Sequence, residues 1–300
     1  MGSANFDLGV AGSRRVDRVT GVVEQAAFVP QDDGTQLFVM VHEPPAEPRG
    51  GVLMFSSILA DFMSNYQREV HLARSLAAAG LVVMRFHYRG TGNSDGDAAD
   101  VTLGSLQDDG RWSVDFMGSR LGNLPLGLLG TRWGSLAAAA AARDLPTGPV
   151  VLCEPVVDAS RYFVEAWRSR AMSAVALGRT AGTGERLADV IVRQGYADVV
   201  GNVIHRALFD SAAGGGTLDE YDLARRPVLV VQFGGNELRP ANRTLRDHLD
   251  GNGAAVETST VDLQESWWFR SGPRIVLHPE LNRLIAGWFV SQVTTTEVGR

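Results

Sequence analysis

PLGLLGTRWGSLAAAAA (Pro125–Ala141) reads as strand, tight turn and helix in immediate succession. PLGLLG is a continuous apolar run with no polar alternation, as expected of a strand buried on both faces. GTRWG is a turn bounded by glycines, and the alanine-rich segment after it is strong helix former. A strand feeding directly into a helix is the repeating unit of a parallel sheet covered by helices.

The rhythm extends in both directions. Strands are expected at Gly21–Val29, Gln36–His42, Gly51–Phe55, Leu81–Phe86, Pro125–Leu129, Val150–Cys153, Pro227–Phe233 and Ala255–Val261. The first two are expected to pair as an antiparallel hairpin, since QDDGTQ between them is turn chemistry. Helices are expected at Tyr66–Ala79, near Leu106–Leu121, at Ser135–Asp144, from Pro240 to the glycines at 251 and 253, and at Pro279–Val290. A longer helical stretch, Ala159–Leu177 and then Gly184–Ala212, interrupts the alternation. This predicts a helical cap over 158–221, inserted between two core segments, 23–157 and 222–292. Residues 1–22 read as a flexible polar arm and 293–300 as a short tail.

Composition narrows the chemistry. The chain has 300 residues, enough for one large α/β core, with 45% hydrophobic and 21% charged residues, in the globular range. All 28 basic residues are arginine, so a lysine Schiff base and a phosphate-loop lysine are both excluded. A net charge of -6 without a basic block argues against nucleic acid as a partner. No apolar window is long enough for a membrane span, and the first residues lack a signal-peptide core, so a cytoplasmic protein is expected. The single Cys153 leaves no thiolate cluster for zinc and reads as a core residue. Neither metal nor cofactor is expected.

Four pieces in order carry a resemblance. RFHYRGTGNSDG (Arg85–Gly96) is similar to a strand-to-loop signature, and GTRWG (Gly130–Gly134) has the glycine frame of the nucleophile elbow G-x-S-x-G. VQFGGNEL (Val231–Leu238) stands where a catalytic acid follows a late strand. ESWWF (Glu265–Phe269) stands where a histidine loop belongs. Together they resemble the α/β-hydrolase fold, in its branch of serine aminopeptidases and acyl hydrolases, over about Gln36–Val290. The order of the elbow, VVLCEPVVDASRYFVEAWRSRAM and VRQGYADV also looks like the hydrolase-like proteins associated with exosortase and exopolysaccharide systems, type 2, in which an arginine holds the elbow and an aromatic replaces the histidine.

The departures from the pattern decide the chemistry. At the apex stands Arg132, a cation with no lone pair to offer, which can serve neither as nucleophile nor as base. Trp267 and Trp268 stand in place of the histidine and read as a pocket wall or a partner-binding patch. The resemblance puts Glu237 at the acid position. Glu154, ending the next strand, and Glu237 are both plausible partners for Arg132; the alternative is that Arg132, the N–H groups of Trp133 and Gly134 and the helix end bind an anionic ligand. His87 is a candidate base at the sheet edge, with a structural role as the rival reading, and His278 is a weaker candidate. Ser56, Ser57 and Ile58 fall where an oxyanion-hole N–H is usually supplied, and Tyr88 and Asp61 border the same edge. Ser57 and Ser135 are candidate relocated nucleophiles.

Three functions remain open on this reading. The first is a hydrolase-fold protein with a degenerate triad, a pseudoenzyme binding a small acyl, peptide or carboxylate-bearing ligand, with proton-transfer chemistry of isomerase, epimerase or lyase type if it is an enzyme. The second is a hydrolase with a relocated serine. The third is an accessory protein whose aromatic patch docks a partner. A biosynthetic gene cluster would favour an enzyme, and the oligomeric state is open.

Overall fold

The computed structural model describes residue 8 and residues 14–143, 145, 148–176, 184–199, 201–262 and 278–298, with side chains except at 169–176 and 294–298. Among them, the strands β1 (Arg14–Val16), β2 (Val23–Pro30), β3 (Gln36–Glu43), β4 (Gly50–Phe55), β5 (Leu81–Phe86), β6 (Leu126–Thr131) and β7 (Val150–Cys153) come first in chain order. Between them run α1 (Leu59–Ala78), α2 (Leu103–Leu121) and α3 (Gly134–Ala142). Between β7 and the next sheet strand, over the stretch expected as a cap, lie α4 (Ala159–Ala176), α5 (Leu187–Gln194), a hairpin of β8 (Tyr196–Val199) and β9 (Asn202–His205), and α6 (Arg206–Ala213). Then follow β10 (Pro227–Phe233), α7 (Pro240–Gly251), β11 (Ala255–Val261) and α8 (Pro279–Val298).

Nine strands make one sheet in the order β1-β2-β3-β5-β4-β6-β7-β10-β11. The first four in that order pair antiparallel and the rest parallel. Side-chain alternation sorts the sheet into two cores, because successive residues of a strand face opposite sides. Leu53, Phe55, Met84, Phe86 and Leu128 pack with α2, α3 and α7. Val52, Met54, Val83, Leu129 and Val151 pack with α1 and α8. All six residues of β4, β5 and β6 are buried, as continuous apolar runs require. This is the doubly covered, mostly parallel sheet expected from the sequence.

Four local expectations differ. Helix α1 starts at Leu59, not at Tyr66. Ile58 offers no side-chain cap, and the turn is made by a positive φ of 54° at Leu59, which no sequence signal announces. The cap stretch read as helix from 184 to 212 contains the β8–β9 hairpin. Gly195 ends α5 in the left-handed region, and the burial of Tyr196–Val199 alternates as a strand's does. Arg14–Val16, assigned to the polar arm, pair antiparallel with β2. The closing helix runs eight residues beyond Val290, to Val298. No helix among the described residues is long and apolar enough to cross a membrane.

Candidate active site

The C-terminal ends of β4, β6, β7 and β10 converge on the elbow. Arg132 carries φ of +52°, rare for a residue with a side chain, as the apex of a strained strand-to-helix turn must. Its flanking glycines are obligatory. A Cβ on Gly134 would lie 2.0 Å from the Phe55 carbonyl oxygen, and one on Gly130 would lie 2.5 Å from the Ser135 Cα. Backbone bonds fix the turn: Arg132 N–H donates to the Cys153 carbonyl at 2.9 Å, and Ser135 N–H donates to the Arg132 carbonyl at 3.0 Å.

The Arg132 side chain is 12% exposed and lies across α1, where Nε donates to Asp61 Oδ2 at 3.0 Å. Its guanidinium also faces the Tyr162 ring, 5.5 Å from the centroid. Burial is the largest single influence and opposes its charge, but Asp61, Tyr162 and Glu154 together hold the Arg132 pKa above its ordinary value. Burial likewise pushes the Asp61 carboxyl up, against the pull of Arg132. The expected partners were Glu154 or Glu237; Asp61 takes that place. It reaches Arg132 from the start of α1, which begins seven residues, about two turns, before the expected Tyr66.

Glu154 is occupied elsewhere. It ends β7 with φ of +49° and is buried. Its carboxylate accepts from the Phe233 N–H and from Arg239 Nη2. Burial raises its pKa, opposed by these donors. Glu237 is exposed on the loop after β10, where its carbonyl accepts from Gln232 Nε2 at 2.9 Å. That loop is organised by Gln232, whose Oε1 accepts from Arg239 N–H at 2.7 Å and from Asn242 Nδ2 at 2.9 Å. Sequence reading missed Asp61 as the ion partner, Tyr162, Gln232 and Arg239. The buried polar Gln232, at the end of an otherwise apolar strand, was the available signal.

His87 does not have a base's surroundings. It is buried among Phe38, Phe62 and Tyr66, and Nδ1 accepts the Asn93 N–H at 3.0 Å. The proton of the neutral ring therefore sits on Nε2, which is buried without a partner. Burial, then the Arg85 charge, lowers its pKa to about 4. Tyr88 is 1% exposed and packs on Phe86 in the core, so it lines no open site. The Trp133 indole is fully buried against Tyr162 and Phe163, leaving only its backbone available at the elbow.

The serines of the loop after β4 are buried as well. Ser56 Oγ donates to Glu69 Oε2 at 2.6 Å, and Ser57 Oγ is buried. The Ile58 carbonyl accepts from Tyr162 OH at 3.1 Å, which ties this loop to α4. Ser135 Oγ donates to the Gly130 carbonyl at 3.0 Å. Cys153 is fully buried and its thiol is pushed well up by burial. Trp267 and Trp268 lie outside the described residues. Among the described residues no group of three or more His, Cys, Asp or Glu side chains is placed to hold a metal ion.

The fold is shared with known enzymes. The structure is similar to Est1E of Butyrivibrio proteoclasticus, solved with ferulic acid bound, at a TM-score of 0.64 and 17% identity over 89% of this chain and 100% of that one. It is similar to a thermostable carboxyl esterase of Bacillus coagulans at 0.59 and 13%, over 90% and 99%. It also resembles mouse alpha/beta hydrolase domain-containing protein 10 at 0.55 and 15%, over 91% and 99%. No curated protein sequence matches. The family model described as serine aminopeptidase, S33, matches residues 47–196, half of the chain, and with its elbow and sheet order the protein belongs to that family of the α/β-hydrolase superfamily.

Proposed function

We propose that this protein keeps the hydrolase cleft as a binding site and does not run Ser–His–acid catalysis. The observation that carries the reading is Arg132 at the strained apex, ion-paired to Asp61 beneath Tyr162. A nucleophile there would need an oxygen or sulfur with a lone pair, and a protonated guanidinium has none. The state of the candidate relocated serines supports the same reading. Ser135 is bonded to the Gly130 carbonyl, Ser57 Oγ is buried with no base among the described residues on it, and the His87 lone pair is taken by a backbone N–H.

The ligand that suits this centre is a small acyl, peptide or carboxylate-bearing molecule. Its oxygen would meet Arg132 and the N–H groups at the start of α3, where the helix dipole favours negative charge. If the site also catalyses, the reaction is a proton transfer. Arg132 would steady a developing oxyanion and Asp61 would carry the proton, since burial keeps its carboxyl easier to protonate than an exposed one. Glu154 and His87, committed to other partners, stay outside that role. The departure from the hydrolase triad is the one on which a likeness to the exosortase-associated hydrolase-like proteins rests.

Treatment with a fluorophosphonate probe and with short p-nitrophenyl esters tests the loss of hydrolysis; no labelling and no burst are expected. Rapid labelling at a mapped serine overturns the proposal. Thermal-shift titration with small carboxylates tests the cleft. Stabilisation of the wild type that disappears in Arg132→Ala supports it, and stabilisation that survives moves the ligand elsewhere.

A further inference from the structure

On the antiparallel side of the sheet, away from the elbow, Arg85 is a buried cation without a direct ion pair. It sits on β5 at 3% exposure and faces α1, as Val83 does, while Met84 and Phe86 face the other core. Its Nε is buried without a hydrogen-bond partner, and the guanidinium makes no ion pair with any described residue. Its one specific contact is with the face of the Tyr66 ring, 4.7 Å from Cζ to the centroid. Arginine stays protonated in proteins, so it cannot escape this situation by neutralising. A buried charge with neither ion pair nor hydrogen bond is among the most unfavourable arrangements a fold can hold.

Beside Arg85 opens a cleft of about 320 Å³, lined by Arg15, Met40, His42, Tyr66, Arg74 and Arg85, with Glu24 and Val70 completing it. Glu24, the carboxylate in the cleft, is fully engaged. Arg74 Nε reaches Oε1 at 2.6 Å and Nη2 reaches Oε2 at 3.0 Å, with His42 Nδ1 a further 3.2 Å from Oε1. Arg15 forms no ion pair with any described residue. Glu69, buried behind the cleft, gives one oxygen to Ser56 and feels the Arg85 charge through space, which favours its ionised form, without a direct ion pair. Within the cleft three guanidiniums therefore face one carboxylate, Glu24, and neither Arg15 nor Arg85 closes an ion pair with it.

We infer that this cleft is a binding site for a small oxyanion-bearing ligand, a carboxylate or a phosphate, with Arg85 as its central donor and Arg15 at its mouth. The volume is at the lower end of small-molecule pockets, larger than a bare ion needs. Met40, Tyr66 and Val70 supply an apolar wall beside the charged one, which suits an anionic group carried on an organic body. Guanidinium forks match carboxylate and phosphate oxygens pairwise, and a desolvated donor gains most from such a bond. The site shares no residue with the elbow, so it stands independently of the function proposed there.

Calorimetric titration of the full chain with inorganic phosphate and, separately, with benzoate tests the inference and distinguishes the two anion classes. Saturable binding of at least one is expected to persist in Arg132→Met and, in that background, to weaken at least tenfold on adding Arg85→Met and about threefold on adding Arg15→Ala. Arg15 is exposed, so Arg15→Ala serves as the readout should the Arg85 variant fold poorly. No saturable binding of either anion to the wild type overturns the inference. So does binding in the Arg132→Met background that neither Arg85→Met nor Arg15→Ala weakens, and so does binding abolished by Arg132→Met alone, which assigns the anion to the elbow.

Discussion

Arg132, in the turn after β6, and Arg85, on β5, stand either side of β4 in buried surroundings, and differ in company. Arg132 has a carboxylate at 3.0 Å and an aromatic face above it. Arg85 has the aromatic face, feels the Glu69 carboxylate only through space and closes no direct ion pair. An ion pair closed within the chain satisfies its donors by the fold that closes it. A cation at the wall of a cleft with no direct acceptor keeps donors to offer. The contrast separates a polar centre that the protein has completed from one that it presents.

Substitutions can break this contrast. The largest effect is expected from Asp61→Ala, which strands the Arg132 charge; removing one partner of a buried pair costs about 3–5 kcal/mol, read from denaturant midpoints. A loss below about 1 kcal/mol would show that Arg132 finds water or another acceptor. Next is acid sensitivity on the Arg85 side. With the His87 pKa lowered from 6.5 to about 4, the unfolded chain takes up a proton between those values that the folded chain refuses. Stability therefore falls as pH drops from about 6.5 to 4, by about 3 kcal/mol if His87 acts alone. His42, also lowered by burial, adds in the same direction. The raised carboxyls of Asp61, Glu69 and Glu154 oppose the fall, since they bind protons more strongly folded than unfolded. The His87→Gln variant should flatten the profile in that window; an unchanged slope would remove His87 from it.

A smaller effect sharpens the comparison. Arg132→Met should destabilise by more than Arg85→Met, because Arg132 donates directly to its carboxylate while Arg85 acts on Glu69 only through space. Equal losses in both would mean the two arginines are equivalent after all. At the bottom of the scale, Thr102→Ala removes the capping box of α2, in which Thr102 and Ser105 bond reciprocally at 3.0 Å, and should cost about 1 kcal/mol in either background.

What could be read from the sequence follows from the range of the forces involved. GVLMF, LVVMRF and PVLVVQF announce buried parallel strands because burial on both faces leaves an apolar run in one short window. The elbow was visible for the same reason, since its glycines are demanded by contacts within the turn and with β4. The Arg132–Asp61 pair was hidden because it joins residues 71 apart across the sheet edge, and the Leu59 turn that brings Asp61 into place has no local signature. The β8–β9 hairpin carried a signal, the β-branched alternation around Gly201, but it lay inside a stretch that helical periodicity also fitted. His87 looked catalytic from its position at a strand end, and only the three rings around it and the Asn93 N–H reveal its commitment.

Helix α3 constrains how this architecture can change. All nine of its residues are buried, six of them consecutive alanines, Ala137–Ala142. A rod with nothing longer than a methyl group over that span is sheathed on every side, so enlarging any of these positions displaces a neighbour instead of reshaping a ligand. The helix behind the apex thus works as an incompressible pillar, and the elbow above it inherits a fixed height.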